Sequence, residues 1–319
     1  MDGSRLGDDG AMPGDGLGET DRGPDAWQMP ERPECITSYE SPTTVGPVTE
    51  AGLIEASGIV ASPLSSDVLW LHSDSGTLPR VYALDTLGQT LGYLDLGDVP
   101  FADPEDIAAG PCPNLIQPCL WIADTGNNNQ DRSDLALIAI AEPAVSSTAA
   151  FGVIFADLVW RFPLAYPGST ADVEALVMEP NGSAAYLFEK IDGPNARVFA
   201  YDAPFDETEA TTLRLVGTVS VPGVPVTLGL MITAADLHPS GDKLLLRVYT
   251  GIFEYRLDGH SFADLDQAQV VVVAWGPLSE PQGEAVAYGQ TGNEIWSISE
   301  DDNGTTPQPL HHYACRDPG

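Results

Sequence analysis

The chain has 319 residues, and its 47 acidic and 13 basic side chains give a formal net charge of −34. Such a charge repels polyanions, so nucleic acid and bare anionic membranes are excluded as partners. No run of about 18 apolar residues occurs, so we expect no transmembrane segment. Hydrophobic residues make up 43% of the chain in short runs, punctuated by 32 Gly and 27 Pro, which is typical of many short strands joined by turns.

The first 34 residues differ in composition from the rest of the chain. Residues 1–34 are rich in Gly, Asp and Pro and poor in aliphatic side chains. Such a segment buries too little apolar surface to fold, so we predict a disordered acidic tether, similar to those that follow the lipid-anchored cysteine of bacterial lipoproteins. The tether lacks the charged start and apolar core of a signal peptide. Residues 35–319 are predicted to form a single domain.

The domain is predicted to be all-β and to consist of five repeats of strands. The predicted strands are 57–62, 67–72, 80–84 and 90–94; 105–109, 120–123, 135–140 and 153–162; 174–178, 184–188, 196–200 and 213–221; 233–237, 244–249, 252–256 and 270–274; 284–288, 294–298 and 310–313. A repeat of about 50 residues with four strands is the period of propeller blades. The sequence therefore predicts a five-bladed β-propeller.

The fifth repeat has three strands, and the four cysteines indicate how the ring closes. An unpaired seam would expose backbone donors and acceptors, so we predict that segment 35–39 completes the last blade, pinned by a Cys35–Cys315 disulfide. A second disulfide, Cys112–Cys119, is predicted within a Pro-rich hairpin. Buried thiols or a metal site are the alternatives, although no CxxC pair occurs. Disulfides imply an oxidising, extracytoplasmic compartment.

Each repeat begins with a polar residue at the same place in its first strand, and we call these five residues the mouth positions: Ser57, Glu105, Glu174, Thr233 and Glu284. Propeller symmetry gathers them around one channel. The residues two positions earlier are Glu55, Asp103, Asp172, Met231 and Gln282, and period-two alternation predicts a second stacked ring. Several carboxylates so close together need a cation, and calcium prefers oxygen ligands. The predicted calcium ligands are Glu105, Glu174, Glu284, Asp103 and Asp172, and the three glutamates are also the catalytic candidates.

The ends of the second strands are expected to return to the same mouth and to bind a ligand. Together with Ser57 and Thr233, the predicted ligand-binding residues are His72, Asp74, Asp124, Glu189, Lys190, Arg247, Tyr249 and Glu300. The alternative is that these polar residues merely line a water-filled channel. Segment 124–131 resembles a calcium loop in composition, although a turn stabilised by Asn side chains explains it as well.

An ordered set of motifs carries a resemblance over about residues 50–302. They are SGI at 57–59, LWLHSDSG at 69–76, PEDIA at 104–108, ADTGNN at 123–128, VEAL at 173–176, ADLHPSG at 235–241 and QGEAV at 282–286. The set resembles a widespread family of secreted bacterial β-propeller proteins of unsettled function. More distantly, the repeat is similar to phytase-like and gluconolactonase-type propellers, a resemblance that implies calcium at the channel mouth.

These observations predict an exported, monomeric propeller whose mouth binds calcium and a small polar ligand. One alternative is a calcium-dependent hydrolase of phosphoesters or lactones, in which a carboxylate takes a proton from water and Lys190 or Arg247 steadies the developing charge. Another is a structural propeller that binds an exported protein partner. A glycosidase would need two suitably spaced carboxylates facing a sugar.

Overall fold

The computed structural model of the chain describes Cys35 and residues 38–316, apart from 54, 75–77, 194, 223–228, 276–279, 281 and 301–305. The predicted tether at 1–34 lies outside the described residues. No helix in the described part of the chain is both long enough and apolar enough to cross a membrane.

The described strands form five sheets, which are the blades of a β-propeller, and the predicted fold is confirmed. In chain order, the strands are β1 (Thr43–Pro47), β2 (Ala56–Ala61), β3 (Val68–Ser73), β4 (Arg80–Asp85), β5 (Thr90–Asp95), β6 (Pro104–Pro111), β7 (Pro118–Asp124), β8 (Ala136–Ala141), β9 (Gly152–Phe155), β10 (Val159–Ala165), β11 (Val173–Met178), β12 (Ala184–Glu189), β13 (Ala196–Asp202), β14 (Thr211–Thr212), β15 (Arg214–Val219), β16 (Ile232–Leu237), β17 (Lys243–Val248), β18 (Gly251–Arg256), β19 (Gln269–Trp275), β20 (Gln282–Tyr288), β21 (Glu294–Glu300) and β22 (Pro309–Ala314). Two short 3-10 helices, Ala51–Leu53 and Phe262–Gln267, lie in connections.

The blades follow one another along the chain, each with its first strand innermost. The first blade is β2 to β5, the second β6, β7, β8 and β10, the third β11, β12, β13 and β15, the fourth β16 to β19, and the fifth β20, β21, β22 and β1. Hydrophobic side chains fill the spaces between neighbouring sheets. At the interface of the second and third blades, for example, Trp121 of the second blade is buried in one cluster with Leu176 and Leu187 of the third.

An N-terminal strand closes the ring, but its position differs from the prediction. Strand β1 pairs antiparallel with β22, whereas the predicted segment 35–39 contributes only an isolated bridge between Tyr39 and Cys315. Pro42 has no backbone N–H to donate, which accounts for the interrupted pairing between that bridge and β1. The Cys35–Cys315 disulfide is present, with the two Cα atoms 5.6 Å apart, and so is Cys112–Cys119.

Two blades receive an additional outer strand from the next blade along the chain. Strand β9 leaves the second blade and pairs in parallel with β5 of the first, and β14 leaves the third blade and pairs in parallel with β10 of the second. The predicted strand 153–162 is therefore two strands in different blades. Gly152 has a φ of 75°, in the left-handed region, where the chain turns into β9.

Candidate functional site

The five mouth positions coincide with a β-bulge in every innermost strand. The pairing between first and second strands shifts between Ala56 and Gly58, and at the matching place in the other four blades. Each shift leaves one residue of the inner strand without a partner in the ladder, namely Ser57, Glu105, Glu174, Thr233 or Glu284. A bulge adds a residue and re-aims a side chain, so the repeat marks a change of strand geometry as well as a polar position.

The hydroxyl-bearing mouth positions tie neighbouring blades together. The Ser57 hydroxyl donates to the carbonyl oxygen of Glu105 over 2.7 Å, and the Thr233 hydroxyl donates to that of Gly283 over 2.8 Å. Both hydroxyls thus satisfy backbone acceptors of the next blade. Ser57 still lines the central cavity, whereas Thr233 does not.

A polar cavity of about 220 Å³ lies at this mouth, lined by Ser57, Asp74, Glu105, Asn128, Glu174, Lys190, Gln282, Glu284 and Glu300. The structure therefore brings together all three glutamate mouth positions and several of the predicted ligand-binding residues. Asn128 was not among those predicted, although the Asn run at 127–129 marked its loop as polar.

Two groups of carboxylates at the mouth are close enough to share one ion. Each residue of the Asp74–Asp103–Glu105 group offers an oxygen within 4.8 Å of the others, and so does each residue of the Glu105–Asp172–Glu174 group. Glu105 belongs to both groups and is buried. Each group can present oxygens of three carboxylates to one hard cation.

Gly126 lets the backbone of the second blade approach this cluster closely. A Cβ atom there would lie 1.9 Å from Oε1 of Glu105 and 2.5 Å from the carboxyl carbon of Asp103. The Gly126 N–H donates to the carbonyl oxygen of Asp103 over 3.1 Å. Any larger side chain would displace the two carboxylates, so this glycine keeps space for them.

Burial makes the mouth carboxyl groups hold their protons more tightly than usual. It raises the pKa of Glu174 to about 8, against the opposing effect of Lys190, and the pKa of Asp103 to about 6. It also raises the pKa of Glu300 to about 7. Burial, followed by repulsion from Glu174, raises the pKa values of Glu105 and Glu284 well above the ordinary range. A divalent cation at the mouth would displace these protons.

Lys190 is the cationic side chain among the described residues that line the cavity. Its ammonium forms an ion pair with Glu174 and lies 5.3 Å from the centroid of the Tyr249 ring. The charges of Glu174 and Glu284 raise the pKa of Lys190 against the lowering effect of its own burial. The mouth thus contains an ammonium group among many carboxyls.

The predicted second ring is only partly formed. Asp103 and Asp172 belong to the two carboxylate groups, and Gln282 donates from Nε2 to Glu284 over 2.8 Å and also to Glu300. Glu55, by contrast, is exposed, and neither it nor half-buried Met231 lines the cavity. The bulge that interrupts strict alternation occurs in all five blades, so it does not by itself account for the difference between them.

His72 is buried and does not line the described cavity, so its ligand-binding role stays a prediction. The side chain is fully buried, and its ring lies edge-on to Phe101 with centroids 6.3 Å apart. Nδ1 is 3.1 Å from the carbonyl oxygen of Ser73. Burial lowers the pKa of His72.

Asp124 is also buried away from the cavity lining. Its Oδ1 accepts from the Asp103 N–H over 2.9 Å and from Arg132 over 2.9 Å. Arg132 also donates to the carbonyl oxygen of Gly126 over 2.7 Å. Arg132 therefore supplies a cation to loop 124–131, and the resemblance of this loop to a calcium loop stays a prediction.

Glu189 and Arg247 are engaged in ion pairs outside the cavity lining. Arg197 donates from Nε to Glu189 over 2.8 Å. Arg247 is fully buried and donates to Glu280 over 2.9 Å. Their ligand-binding role stays a prediction. Because successive side chains of a strand alternate between its two faces, the end of a second strand does not by itself determine whether a side chain faces the channel.

Two buried aspartates that the sequence analysis missed tie the inner strands together below the mouth. Oδ2 of Asp106 accepts from the N–H groups of Leu176 in the third blade and Ala235 in the fourth, over 2.8 and 3.0 Å. Oδ2 of Asp236 accepts from the N–H of Tyr288 in the fifth blade over 2.7 Å. These carboxyl groups join blades across the channel. The available signal was an acid inside a buried apolar strand.

A scan against protein-family models finds no match, and a search of the curated proteins finds none. Membership of the secreted bacterial propellers therefore stays a prediction. Solved structures are similar in fold. One is a chain of a mitotic checkpoint complex, with a TM-score of 0.36 and 11% identity, covering 81% of this chain and 61% of that chain. Another, from Bacteroides uniformis, is named "putative 6-phosphogluconolactonase", with a TM-score of 0.40 and 10% identity, covering 81% and 66%.

The chain spans less than two thirds of the length of both structures. With TM-scores of 0.36 and 0.40, both similarities are too distant to support an argument. The functional argument therefore depends on the geometry of the mouth.

Proposed function

We propose that this protein is an exported β-propeller whose channel mouth binds a calcium ion together with a small polar ligand. The observation that carries the proposal is the position of Glu105, whose carboxylate is shared by two groups of acidic side chains with ligand oxygens within 4.8 Å of one another. The cost of burying these charges together is offset if a cation lies among them.

The chemistry of the donors favours calcium. The side chains that line the described cavity offer oxygen donors from carboxylates, amides and a hydroxyl, and they include no histidine and no cysteine. Calcium takes six to eight oxygen ligands at flexible geometry, whereas zinc prefers nitrogen and sulfur. Ligand positions that the protein leaves open would be filled by water or by the oxygens of a bound molecule.

The remaining lining residues support a small polar ligand. A volume of about 220 Å³ limits its size. Lys190, Asn128 and Gln282 supply hydrogen-bond donors beside the carboxylates, so the ligand would carry several oxygen atoms.

Export is supported by the two disulfides, which persist in oxidising compartments. The large negative charge suits a medium in which calcium is abundant, since it raises the local concentration of cations.

Calcium-dependent hydrolysis of a phosphoester or lactone is the second candidate, and Glu300 is the residue that favours it. Glu300 lines the cavity with a pKa of about 7, which suits a general base at neutral pH. The cation, when bound, would supply Lewis acidity. Glu300 would accept a proton from the attacking water, and Lys190 would steady the developing charge. Glu300→Gln should then abolish turnover of generic phosphoesters or lactones while calcium still binds.

Calorimetric titration of the chelator-treated protein with calcium chloride tests the main proposal. We expect the wild type to bind one ion, Glu105→Gln to bind it at least about tenfold more weakly, and Glu209→Gln, on an exposed loop, to match the wild type. Absence of binding to the wild type would rule out the proposal and leave a structural propeller. Equal affinity of Glu105→Gln and the wild type would move the ion elsewhere.

A further inference from the structure

Lys190 is one of only two lysines in this acidic chain. The sequence contains two lysines, Lys190 and Lys243, against 47 acidic residues. Lys243 is buried and donates to the carbonyl oxygen of Cys35 over 3.2 Å. Lys190 lines the acidic cavity, where its ammonium contacts Glu174. One of the two lysines is therefore located where the proposed calcium ion would bind.

Three buried acids outside the cavity lining are paired with arginine. Arg132 pairs with Asp124, Arg197 with Glu189, and Arg247 with Glu280. The arginine guanidinium is a rigid fork suited to permanent pairing, whereas lysine carries a compact point charge on a flexible four-carbon stem. In the Lys190–Glu174 pair at the mouth, the cation is therefore the type of side chain that dissociates most easily from its carboxylate.

The surroundings of Lys190 also offer a second position for its ammonium. The Tyr249 ring lies 5.3 Å from Nζ, and an aromatic face attracts a cation. Glu284 lines the same cavity and interacts electrostatically with Lys190. An ammonium that leaves Glu174 therefore still has an aromatic face and a carboxylate nearby, without crossing into bulk water.

We infer that Lys190 is a resident counter-ion that competes with the divalent cation for Glu174, so that the mouth alternates between a lysine-paired state and a metal-bound state. This inference rests on the proposed function. In the lysine-paired state, the ammonium neutralises part of the acidic cluster. When the metal ion binds Glu105, Asp172 and Glu174, the ammonium moves towards Glu284 and Tyr249. Lys190 thereby sets the calcium concentration at which the mouth fills.

Replacement of the lysine by a neutral residue of similar shape tests the competition. Lys190→Met keeps the apolar stem and removes the charge, and we expect calcium to bind at least about tenfold more tightly, because a unit charge a few Å away contributes more than a tenfold step in affinity. Lys190→Arg keeps the charge and should bind no more tightly than the wild type. Arg214→Met removes the same charge from an exposed pair with Asp202 in the same blade and should leave the affinity within about twofold.

A measurement on the wild-type protein covers the case in which Lys190→Met does not fold. With selective ¹³C labelling of lysine, the spectrum contains signals from two side chains, and the Lys243 signal is an internal reference. We expect calcium to shift the Lys190 Cε signal and to leave that of Lys243 unchanged.

The outcomes separate this inference from the function on which it rests. Tighter binding by Lys190→Met together with a calcium-dependent shift of the Lys190 signal supports the competition, and the shift alone decides if Lys190→Met does not fold. Calcium binding by the wild type with equal or weaker affinity in Lys190→Met, or with an unmoved Lys190 signal, overturns the competition and leaves the calcium site intact. Failure of both the wild type and Lys190→Met to bind calcium overturns the proposed function itself.

Discussion

The two ends of the central channel are built from the same five inner strands but differ in chemistry. The mouth cavity of about 220 Å³ is lined mostly by carboxyl groups, whereas the cavity at the far end is about 30 Å³ and is lined largely by apolar residues such as Val60, Leu237 and Tyr288. The bulges lie at the mouth end of the strands and redirect one side chain per blade. A local change of strand geometry therefore gives one strand set two different ends.

Covalent reinforcement is also unequal between the ends. The Cys112–Cys119 hairpin follows the end of β6 that is remote from Glu105. Cys315 lies at the same end of the ring, where its N–H donates to the carbonyl oxygen of Asn293 in the turn between β20 and β21. The far end thus carries both disulfides, and the mouth carries the clustered acids. We infer that the far end holds the ring together while the mouth concentrates charge.

The largest expected effect on stability comes from removal of a disulfide at the far end. Removal of the Cys35–Cys315 disulfide by a double Ser substitution should lower the free energy of unfolding by about 5 kcal/mol, because the disulfide closes a loop with a sequence separation of 280 residues. The matched double Ser substitution at Cys112 and Cys119, with a separation of 7, should cost about 2 kcal/mol. Denaturant unfolding measures both values. Equal losses of free energy would contradict the expected dependence on the length of the closed loop.

The next largest effect is expected from removal of the Asp106 carboxyl group, which joins inner strands of three blades between the two ends of the channel. Asp106→Ala leaves the N–H groups of Leu176 and Ala235 without their acceptor inside the protein, and we expect a loss of about 3 kcal/mol in the free energy of unfolding. Glu284→Gln, in the mouth, keeps its shape and should cost much less. Denaturant unfolding measures both losses. A larger loss for Glu284→Gln than for Asp106→Ala would contradict the view that Asp106 stabilises the fold while the mouth carboxyl groups serve function.

The acids of the mouth should make stability depend on pH in an unusual direction. A carboxyl group whose pKa is higher in the folded than in the unfolded state binds its proton more tightly when folded, so the contribution is greatest at low pH and is lost as the pH rises through the folded value. The pKa values of Asp103, Glu300 and Glu174 are about 6, 7 and 8. Between pH 5 and 8, the free energy of unfolding of the metal-free protein should fall by on the order of 2 kcal/mol, after allowance for solvent screening.

Calcium should reverse that loss, since an ion binds the deprotonated carboxylates. Thermal unfolding across this pH range, with and without calcium, measures both effects. Metal-free stability that rises with pH, or no stabilisation by calcium at pH 8, would contradict the electrostatic account of the mouth.

The smallest expected effect is local to the mouth. Gly126→Ala would place a Cβ atom 1.9 Å from Oε1 of Glu105 and should weaken calcium binding about tenfold through displacement of that ligand. Gly217→Ala, whose Cβ would meet its nearest neighbour at 3.5 Å, is the control and should bind as the wild type does. Unchanged calorimetric affinity in Gly126→Ala would exclude Glu105 as a ligand.

The sequence predicted the blades better than it predicted the side chains around the channel. The repeated polar residue was enough to predict that Glu105, Glu174 and Glu284 share a cavity, because equivalent positions of a propeller's inner strands lie around one axis. The bulges could not be predicted, since they depend on how each inner strand pairs with the next strand. The side of the strand on which His72 and Arg247 lie depends on that same pairing.

Long-range contacts account for the other differences. Strand β9 joins a blade that precedes it in the chain, and Asp106 accepts hydrogen bonds from two other blades. Neither leaves a pattern in its own segment beyond a short apolar run or a single buried acid. Both arise from packing between blades rather than from local preference.

A crystal structure of the protein soaked in calcium tests the central claim most directly. The account predicts one ion at the mouth, with oxygens of Glu105 and Glu174 about 2.3–2.6 Å from it. An ion bound elsewhere, or an empty mouth at a calcium concentration that saturates the protein in solution, would contradict it.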